Sequence, residues 1–532
     1  METYSTDTKN EETSQMSIDE LDNHLYSCAD IIRGPVDASD YKNYIIPLVF
    51  YGIFDGRFGK KMEKLAQKED LDLQDERDRE FLRGLCKQEI GVVIPKEYRW
   101  DELKNENRKL DEKLDNAFEE FQDQNPDVFT DIDISYSSEQ AFNGKEGSRL
   151  LKRLINKIDE VNYEEYPVDV IGESYMNLVR KFSEQENGEF FTPETLSKLL
   201  VNILGPYEKT DASFHDPTAG SAGLLIQTAK HIYNNDSRFE QLSETTDYYN
   251  FTGQEVNPAV SRVGRMNLAL HQINSEYRQG DSLSNPQFTD NGTLENFDYI
   301  LANFPFSMRG WKTETKKRQN KYGDLDWAEN GKLPHGNYGD FSFIMHMESQ
   351  LSDDGKMATI IPHGVLFRNG DKKYREYLIE NDLIEAIVGL PKGLFESTNI
   401  PSAILVLNKD KPQKRKNKII VINGDKESKF YTDMGGDRTK LTDDGIKEIT
   451  NIKNNWENKE RISNVVSTDI IKENDYNLNI ALYVDTTEPV EEVKVSNVLN
   501  DIQELNEEYN QLDDRLNSYM TQLKYNQGDK NE

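Results

Sequence analysis

Cysteine is scarce in this chain of 532 residues, which contains only Cys28 and Cys86. Two cysteines are too few for a disulfide framework or for a cysteine-based zinc site, and no metal-ligand spacing of histidines and carboxylates is seen, so we expect no metal. Long apolar runs are missing too, since none approaches the roughly 18 to 20 residues that cross a bilayer. The polar N-terminus has no signal-peptide core. We therefore expect a cytoplasmic protein without membrane contact.

Positive charge is also in short supply. Lysine and arginine total 64 against 97 aspartates and glutamates, which gives a formal net charge of -33. Binding of nucleic acid over the whole surface requires many basic residues that displace counterions from phosphates, and this balance excludes it. Any site for a polyanion must be local, or a partner must supply most of the positive surface.

Three regions differ in pattern. Residues 1–165 show apolar residues at helical spacing and predict an N-terminal helical domain. Residues 166–470 alternate short β-rich runs with helical runs, which predicts an α/β fold with a parallel, doubly wound sheet. In such sheets ligands bind beyond the carboxyl ends of the strands. Residues 471–532 form a C-terminal tail that contains one long helix.

The tail helix carries a heptad stripe of apolar residues separated by polar ones. Two alternatives are open: the helix packs on its own domain, or it docks onto another chain or helix pair. The narrow stripe and terminal position favour docking and subunit assembly. The stripe consists of Val495, Val498, Ile502, Leu505, Tyr509, Leu512, Leu516, Tyr519 and Leu523.

A small-residue turn follows the first strand of the second region, in "HDPTAGSAGLLIQTA". Its glycines permit a close approach of the backbone to a ligand, and the following helix offers free N–H groups. The Gly-x-x-Gly spacing is neither a pyrophosphate fingerprint nor a phosphate loop. An ordinary turn between strand and helix is the alternative, but the pattern favours a nucleotide-like cofactor that lacks a phosphate cradle.

Two acidic residues come after the next two predicted strands. Glu255 in "FTGQEVNP" lies where a carboxylate can accept from both hydroxyls of a ribose. Asp281 in "QGDSL" can accept from the amino group of a purine. Each residue taken alone is compatible with a solvated or capping role, whereas the series after the glycine turn favours cofactor binding.

The segment "LANFPFSMRGW" ends another predicted strand with an amide and two aromatic rings. Asn303 supplies an acceptor and donors, and Phe306 supplies a stacking face. Together they can hold a base that has flipped out of a duplex. A strand-end turn with core aromatic residues is the alternative.

The order of these motifs resembles the modification subunit of type I restriction–modification systems, a family of N6-adenine DNA methyltransferases. The resemblance covers about residues 17 to 485. It rests on "GEFFTP", "DPTAGSAG", "GQEVNP", "GDSL" and "NFPF", on the downstream "IPHGVLFRNG", "GLPKGLF" and "IPSAILVLNK", and on the N-terminal "HLYSCADIIRGPVDASDYKNYIIPLVFYGIF".

This resemblance implies a Rossmann-like S-adenosylmethionine-dependent methyltransferase sheet and methyl transfer to N6 of adenine in double-stranded DNA. It implies that Glu255 binds the ribose and Asp281 the adenine of S-adenosylmethionine. The catalytic turn that holds the target base comprises Asn303, Phe304, Pro305 and Phe306. The other residues implied to bind or border the cofactor are Glu189, Phe190, Phe191, Thr192, Pro193, Asp216, Thr218, Ala219, Gly220, Ser221 and Gly223.

One position departs from the family pattern. The family has Asn-Pro-Pro-Phe, whereas this chain has Phe304 at the first proline. The backbone carbonyl, which accepts a hydrogen bond from N6 in the family, is retained, and Pro305 still biases residue 304 toward extended geometry. We expect activity to survive. The alternative is a scaffold that binds S-adenosylmethionine with weak or no catalysis.

Basic residues cluster just after the catalytic turn, and we expect them to contact DNA phosphates. Beyond about residue 470 no room is left for a target-recognition domain, so we expect a specificity subunit to read the DNA. The resemblance implies two modification chains per specificity chain and a restriction (translocase) subunit in the larger complex. The expected DNA-binding residues are Arg309, Lys312, Lys316, Lys317 and Arg318.

Overall fold

The computed structural model describes most of the chain, in two units, Met1–Asp485 and Thr486–Glu532. We describe each unit by itself. The described residues are 18–37, 40–126, 134–166, 168–183, 192–205, 207, 209–239, 241–309, 338–395, 400–424, 430–435, 438–485 and 495–523.

Up to residue 183, the described elements are helical. One apolar core joins these helices, and it also takes in Met266 and Leu270 from the part of the chain that bears the sheet. This shared core explains why both regions fall into one unit, and the boundary at residue 165 stays a prediction. The helices are α1 (Ile18–Ile32), α2 (Tyr41–Glu69), α3 (Glu76–Ile90), α4 (Trp100–Asn105), α5 (Leu110–Gln124), α6 (Gly144–Ile158) and α7 (Val168–Ser183).

A mixed sheet forms the centre of the rest of the first unit. The described residues build nine strands in the order β13-β10-β8-β9-β7-β6-β1-β2-β3, and two short two-stranded pairs, β4-β5 and β11-β12, lie outside this sheet. The strands are β1 (Ser213–Asp216), β2 (Asn250–Glu255), β3 (Glu276–Gln279), β4 (Thr289–Asp290), β5 (Thr293–Leu294), β6 (Phe297–Ala302), β7 (Leu351–Pro362), β8 (Ile384–Gly389), β9 (Ser402–Asn408), β10 (Lys418–Asn423), β11 (Tyr431–Gly435), β12 (Arg438–Leu441) and β13 (Ser463–Ser467).

The predicted α/β class is confirmed, but the sheet is not purely parallel. β9 pairs antiparallel with both β7 and β8, and β13 pairs antiparallel with β10. β9 follows β8 through residues 390–401 and turns back beside it, which needs no crossover helix. The strands β6, β1, β2 and β3 are mutually parallel, as the sequence predicted.

Both faces of the sheet are buried. In β9, alternate residues belong to two different apolar cores, with Ile404 and Val406 in one and Ala403 and Leu405 in the other. Helices that cover the two faces make such a double-sided core possible. They are α8 (Glu194–Leu204), α9 (Gly223–Asn235), α10 (Leu242–Tyr248), α11 (Pro258–Leu270), α12 (Asp340–Ser349), α13 (Gly364–Phe367), α14 (Lys372–Glu380), α15 (Asp443–Asn455) and α16 (Thr468–Glu473).

The order of the parallel strands determines where the predicted motifs lie. β1 has β2 on one side and β6 on the other. Their carboxyl ends therefore lie at one edge of the sheet, and so do the turns that follow them. The glycine turn, Glu255 and the segment from Asn303 come together at this edge although they are far apart in the chain.

The second unit contains the helix α17 (Val495–Gln522). Its predicted apolar stripe is exposed within this unit: Leu505 is 64% exposed, Tyr509 67% and Leu516 58%. Acidic and polar residues make up most of the rest of the helix surface, which also includes the exposed Leu499. A helix with such an exposed stripe is typical of one that docks against another helix.

Candidate active site

The glycine turn connects β1 to α9 through residues 217–222. Gly220 has a φ of +56° and Ala222 a φ of +64°, so the chain is left-handed at two points within three residues. The N–H of Ala222 donates to the carbonyl of Ala219 at 2.7 Å and closes the turn. Alanine adopts this region at some cost, which the surrounding contacts must offset.

Strand β2 holds one side of this turn. The N–H of Ala219 donates to the carbonyl of Gln254 at 2.8 Å, and the N–H of Gly220 donates to Oε2 of Glu255 at 3.1 Å. The other carboxylate oxygen of Glu255 accepts from the N–H of Asn257 at 2.8 Å. Glu255 therefore has a structural role in the turn, and a carboxylate with about four acceptor positions can still accept further bonds.

Helix α11 and strand β3 hold the opposite side. The hydroxyl of Tyr277 donates to the carbonyl of Gly220 at 2.5 Å, and the side-chain amide of Asn267 donates to the carbonyl of Ser221 at 2.8 Å. A Cβ at Gly264 would lie 2.7 Å from both the Gly220 carbonyl oxygen and the Tyr277 hydroxyl oxygen. Only glycine fits this contact.

Gly264, Asn267 and Tyr277 were not predicted as site residues. A signal for one of them is present in the sequence, because a glycine in the middle of an amphipathic helix indicates close packing. Nothing in the sequence indicates that this packing is against the glycine turn, since Gly220 and Gly264 become neighbours only through the strand order.

Asp281 follows β3 and accepts at Oδ1 from the N–H groups of Leu283 at 2.8 Å and Ser284 at 3.2 Å. This oxygen therefore has the capping role that the sequence left open. The second oxygen, Oδ2, makes no hydrogen bond to the described residues. It remains a possible acceptor for a ligand amino group.

Asp216 ends β1 and is almost fully buried. Its carboxyl has a pKa raised to about 8, mainly by burial and in part by the nearby negative charge of Glu255, while the N–H of Thr218 at 2.9 Å opposes the shift. The carboxyl is therefore mostly protonated at pH 7. A cation bound beside it would favour the ionised form.

The turn that begins at Asn303 comes directly after β6. The side-chain amide of Asn303 donates to the hydroxyl oxygen of Thr192 at 3.0 Å, so the "NFPF" segment and the "FTP" segment are in contact. Pro305 is exposed, and Phe306 is half-buried with its ring edge against the ring of Phe395 at 6.0 Å between centroids.

Phe304 belongs to the core. Its side chain is 2% exposed, and its ring stacks on the ring of Phe343 at 5.2 Å with an angle of 11° between the planes. This side chain thus has the core role that the sequence left open for the aromatic residues of the turn.

A buried ion pair fixes the end of this turn. Ser307 has a φ of +55°, and its N–H donates to Oδ1 of Asp340 at 2.7 Å. The fully buried Asp340 also pairs with the guanidinium of Arg368. The guanidiniums of Arg368 and Arg309 lie 5.0 and 5.6 Å from the ring centroid of Tyr338. The sequence did not predict Asp340, although Arg368 belongs to the quoted segment "IPHGVLFRNG".

A cleft lies between the glycine turn and the turn at Asn303. Its lining also includes Glu173 of α7 and Lys230 of α9, but neither Glu255 nor Asp281. Of the predicted residues, the structure brings these together in the lining: Thr192, Asp216, Thr218, Ala219, Gly220, Ser221, Gly223 and Asn303.

Several predicted residues have other positions. Pro193 is half-buried at the position before α8, and Arg309 is exposed. The remaining ones lie outside the described residues; they are Glu189, Phe190, Phe191, Lys312, Lys316, Lys317 and Arg318.

The cleft fits a cationic ligand without phosphates. A Cβ built at Gly220 or Gly223 would meet its nearest atom only at 3.9 Å, so there is open space beside the turn. In the same lining, Asn267 is fully buried and its Oδ1 has no hydrogen-bond partner among the described residues. Together with the carboxyl of Asp216, this acceptor suits an ammonium or sulfonium group.

Comparison with known proteins identifies the family. Residues 167–492 match the model for N-6 DNA methylases. The chain belongs to the N-6 DNA methylase family. Residues 21–158 also match the HsdM N-terminal domain. This pair of domains makes the chain a type I restriction–modification methylase subunit and an N6-adenine DNA methyltransferase, which confirms the resemblance read from its motifs.

Relatives of the chain agree with this family. It is 29% identical to the MjaVIII methylase subunit of a type I restriction enzyme from Methanocaldococcus jannaschii, over 96% of this chain and 86% of that one. It is also similar to the type I restriction–modification methyltransferase subunit from Streptococcus thermophilus, which has a crystal structure. The sequence identity is 26%, and the two structures have a TM-score of 0.73 over 88% of this chain and 100% of that one.

A third solved structure is similar to this chain in its fold alone. A chain from a structural study of complex assembly and conformational transition in a type I restriction–modification system is 17% identical. It has a TM-score of 0.59 and covers 95% of this chain and 99% of that one.

Family membership also confirms the cofactor, since N6 DNA methyltransferases use S-adenosylmethionine. It confirms the predicted methyltransferase fold as well. Within the part of the chain that the structure describes, we find no helix long and apolar enough to cross a bilayer.

Proposed function

We propose that this methylase subunit transfers the methyl group of S-adenosylmethionine to N6 of adenine in double-stranded DNA, within a complex that contains a specificity subunit. One observation above all supports the proposal. The bond between Asn303 and Thr192 brings the segment for the target base against the same cleft as the glycine turn. Methyl transfer requires the accepting base and the methyl donor to lie side by side in one site.

Each residue has a proposed role. Glu255 accepts from the ribose hydroxyls and Asp281 from the adenine amino group of the cofactor. Asn303 and the backbone carbonyl of Phe304 accept from N6 of the target adenine, and Phe306 stacks on its ring. The half-buried state of Phe306 leaves part of the ring available for stacking.

The reaction makes modest demands on acid–base chemistry. S-adenosylmethionine supplies a methyl group that is already activated on a sulfonium. The chain's own residues must orient N6 and relieve the positive charge that develops on it, which acceptors such as the Asn303 side chain and a backbone carbonyl do. Glu173 in the cleft lining favours a cationic cofactor, and Asp216 adds its negative charge when the bound cation ionises it.

A scaffold that binds the cofactor without catalysis is the second candidate, because Phe304 replaces the family's first proline. The geometry favours the enzyme. The ring of Phe304 is buried against Phe343 and is not part of the cleft lining. The backbone of residue 304 keeps its carbonyl, so the change of side chain removes no acceptor.

The proposed partners follow from the family and from the charge of the chain. They are double-stranded DNA, a specificity subunit that joins two modification chains, and a restriction subunit in the larger complex. Arg309 is exposed two residues beyond Ser307, where a DNA phosphate beside the target base would lie. The exposed stripe of α17 supports assembly with another helix. A cytoplasmic location stays a prediction from the sequence.

A methyl-transfer assay tests the enzyme against the scaffold. The full chain, purified with its specificity subunit, receives labelled S-adenosylmethionine and duplex DNA. We expect Asn303→Ala to lower transfer by at least about a hundredfold, because it removes an acceptor that acts on the reacting nitrogen, with cofactor affinity unchanged. Asn296→Ala, at an exposed asparagine before the same strand, should match wild type. Cofactor binding by the wild type without any transfer would favour the scaffold.

Deletion of residues 490–532 tests the role of the terminal helix. We expect cofactor binding to persist and co-elution with the specificity subunit to weaken, because the exposed stripe is lost. Unchanged co-elution would contradict an assembly role.

A further inference from the structure

A second cavity lies at the opposite edge of the sheet from the candidate active site. It is open to solvent and has a volume of about 650 Å³, and it lies where β7 and β8 begin and β9 ends. Lys356 lies in this cavity near the start of β7, and Pro362 ends the strand six residues later at the other edge. Six residues of strand span roughly 20 Å, so the two sites are separate. Cationic side chains outnumber carboxylates in the lining, in a chain whose net charge is -33.

A buried carboxylate at the bottom of this cavity already has its partners. Glu385 is 2% exposed; its Oε1 accepts from the guanidinium of Arg415 at 2.8 Å and its Oε2 from the amide of Asn408 at 3.1 Å. Arg415 is fixed in turn by a bond to the carbonyl of Asn454 at 2.6 Å. The negative charge of Glu385 is thus matched by the positive charge of Arg415, which is 18% exposed.

Lys453 adds a second buried cation to this neutral pair. Its side chain lines the cavity and is 4% exposed, and its Nζ lies 3.9 Å from Oε2 of Glu385. That distance is beyond a hydrogen bond, and Nζ makes no hydrogen bond to any residue that the structure describes. Burial lowers the pKa of this ammonium more than the charge of Glu385 raises it. A buried ammonium without a bonded acceptor is unfavourable unless a ligand supplies one.

Lys356 brings a third cation to the same place. It is paired with Asn408 in the antiparallel register of β7 and β9, and such cross-strand neighbours share one face of the sheet. Lys356 is half-buried and forms no ion pair among the described residues, and its charge repels that of Lys453. The excess of positive charge therefore lies between these two lysines.

The other charged groups around the cavity do not cancel this excess. Lys209 is paired with Asp354 at 2.6 Å and with Asp298, so the three form their own cluster. Lys414 and Asp410 are exposed at the rim, where solvent screens them and their opposite charges balance.

We propose that this cavity binds a phosphate group between Lys356 and Lys453, carried by a small anion such as inorganic phosphate or a mononucleotide. A phosphate brings close to two negative charges and several acceptor oxygens, which match the ammonium of Lys356, which has no ion pair among the described residues, and the ammonium of Lys453, which has no hydrogen-bonded acceptor among them. The volume exceeds that of a single phosphate ion and leaves room for a nucleoside. The proposal does not depend on the proposed methyl transfer.

Titration of the full chain with inorganic phosphate, followed by calorimetry and phosphorus-31 NMR at constant ionic strength, tests the site. We expect saturable binding at one site per chain. Lys453→Met and Lys356→Met should each weaken it at least about tenfold, because each removes a charge-assisted bond. Lys447→Met, at an exposed lysine of the same helix as Lys453, should bind as wild type. Circular dichroism checks that each variant is folded. If Lys453→Met unfolds because Lys453 is buried, the half-buried Lys356→Met still tests the site.

Several outcomes would overturn the proposal: no saturable binding by wild type, unchanged affinity in both lysine variants, or displacement of phosphate by S-adenosylmethionine, which would move the ion to the cofactor cleft. Binding of duplex DNA that depends on these lysines, without binding of phosphate or adenosine monophosphate, would also overturn it. Tighter binding of adenosine monophosphate than of phosphate would identify a nucleotide as the ligand; equal affinities would identify the phosphate group alone.

Discussion

The two turns of the candidate active site follow neighbouring strands, yet they are held in different ways. The glycine turn after β1 is held by hydrogen bonds from β2, β3 and α11 to its own backbone groups. The turn after β6 is held by the packing of Phe304 and by one buried ion pair at its end.

This difference matches what each turn is proposed to do. The glycine turn must present its backbone to a ligand in a fixed, partly left-handed conformation. Hydrogen bonds between its backbone groups and β2, β3 and α11 fix that conformation. The second turn must leave the Asn303 side chain and the carbonyl of Phe304 available for a base. It is therefore held by the buried ring of Phe304 and by the bond from Ser307 to Asp340 at its end. Substitutions that perturb one turn and leave the other intact should separate the two roles.

The largest effect is expected for Asp340→Ala. This change leaves the guanidinium of Arg368 without its main buried partner and releases the N–H of Ser307. Arg368 is 25% exposed and keeps Asp371 at 3.3 Å, so we expect a cost of about 3 kcal/mol, the lower end of the range for removing one partner of a buried pair. Denaturant unfolding should show this loss, and methyl transfer should fall with it. Asp353→Ala, at an exposed carboxylate, is the control and should stay within about 0.5 kcal/mol of wild type.

Phe304→Pro restores the family residue and should nevertheless destabilise the protein. The change removes a buried ring that stacks on Phe343, at a cost of about 3 kcal/mol. Phe304→Leu keeps most of the apolar volume and should cost less, about 1 kcal/mol. Thermal unfolding and the methyl-transfer rate measure both variants. A proline variant that is as stable as wild type and faster would show that the ring is not part of the anchor.

Gly264→Ala breaks the glycine turn alone. The new methyl would lie 2.7 Å from the Gly220 carbonyl oxygen, so the turn or α11 must move, at a cost of about 1 to 3 kcal/mol. We expect weaker cofactor binding by calorimetry. Gly84→Ala, in a helix with no atom within 4 Å of the new methyl, should instead raise stability by up to about 1 kcal/mol. Unchanged cofactor affinity in Gly264→Ala would mean that the turn tolerates the shift.

Within one pH unit of neutrality, the smallest effect is a pH dependence from Asp216. Its pKa is about 8 in the folded chain against 3.8 for an ordinary aspartate, so the carboxyl contributes stability that is fully present below about pH 4 and is lost as pH rises to about 8. A cationic cofactor favours the ionised form. Its affinity should therefore rise with pH up to about 8, by at most about tenfold per pH unit. Calorimetry in buffers of different ionisation enthalpy should detect the released proton, and Asp216→Asn should flatten the profile.

Much of the site was predictable from residues that are local in sequence. "DPTAGSAG" predicted a left-handed turn between a strand and a helix, and the structure has it at Gly220. The order of strands and helical runs predicted that Asn303 would lie at the same edge of the sheet. These features depend on backbone propensities and on strand direction, which short segments specify.

Other features were not predictable in this way. The sequence assigned Phe304 a role only through its backbone carbonyl and did not predict the partner of its ring, which packs into the core because Phe343 of a distant helix lies beside it. The antiparallel β9 was missed because a buried strand in a two-sided core has no polar alternation, so its pattern is the same in either direction.

The sequence by itself determined the fold class, the cofactor and the residues of the two turns, because each is specified by a short segment and by the order of segments. Only the tertiary structure decided what holds those turns. Gly264, Tyr277 and Asp340 act through contacts with residues dozens of positions away. Such contacts depend on which strands become neighbours in the sheet, and that is settled by packing of the whole core rather than by any one segment.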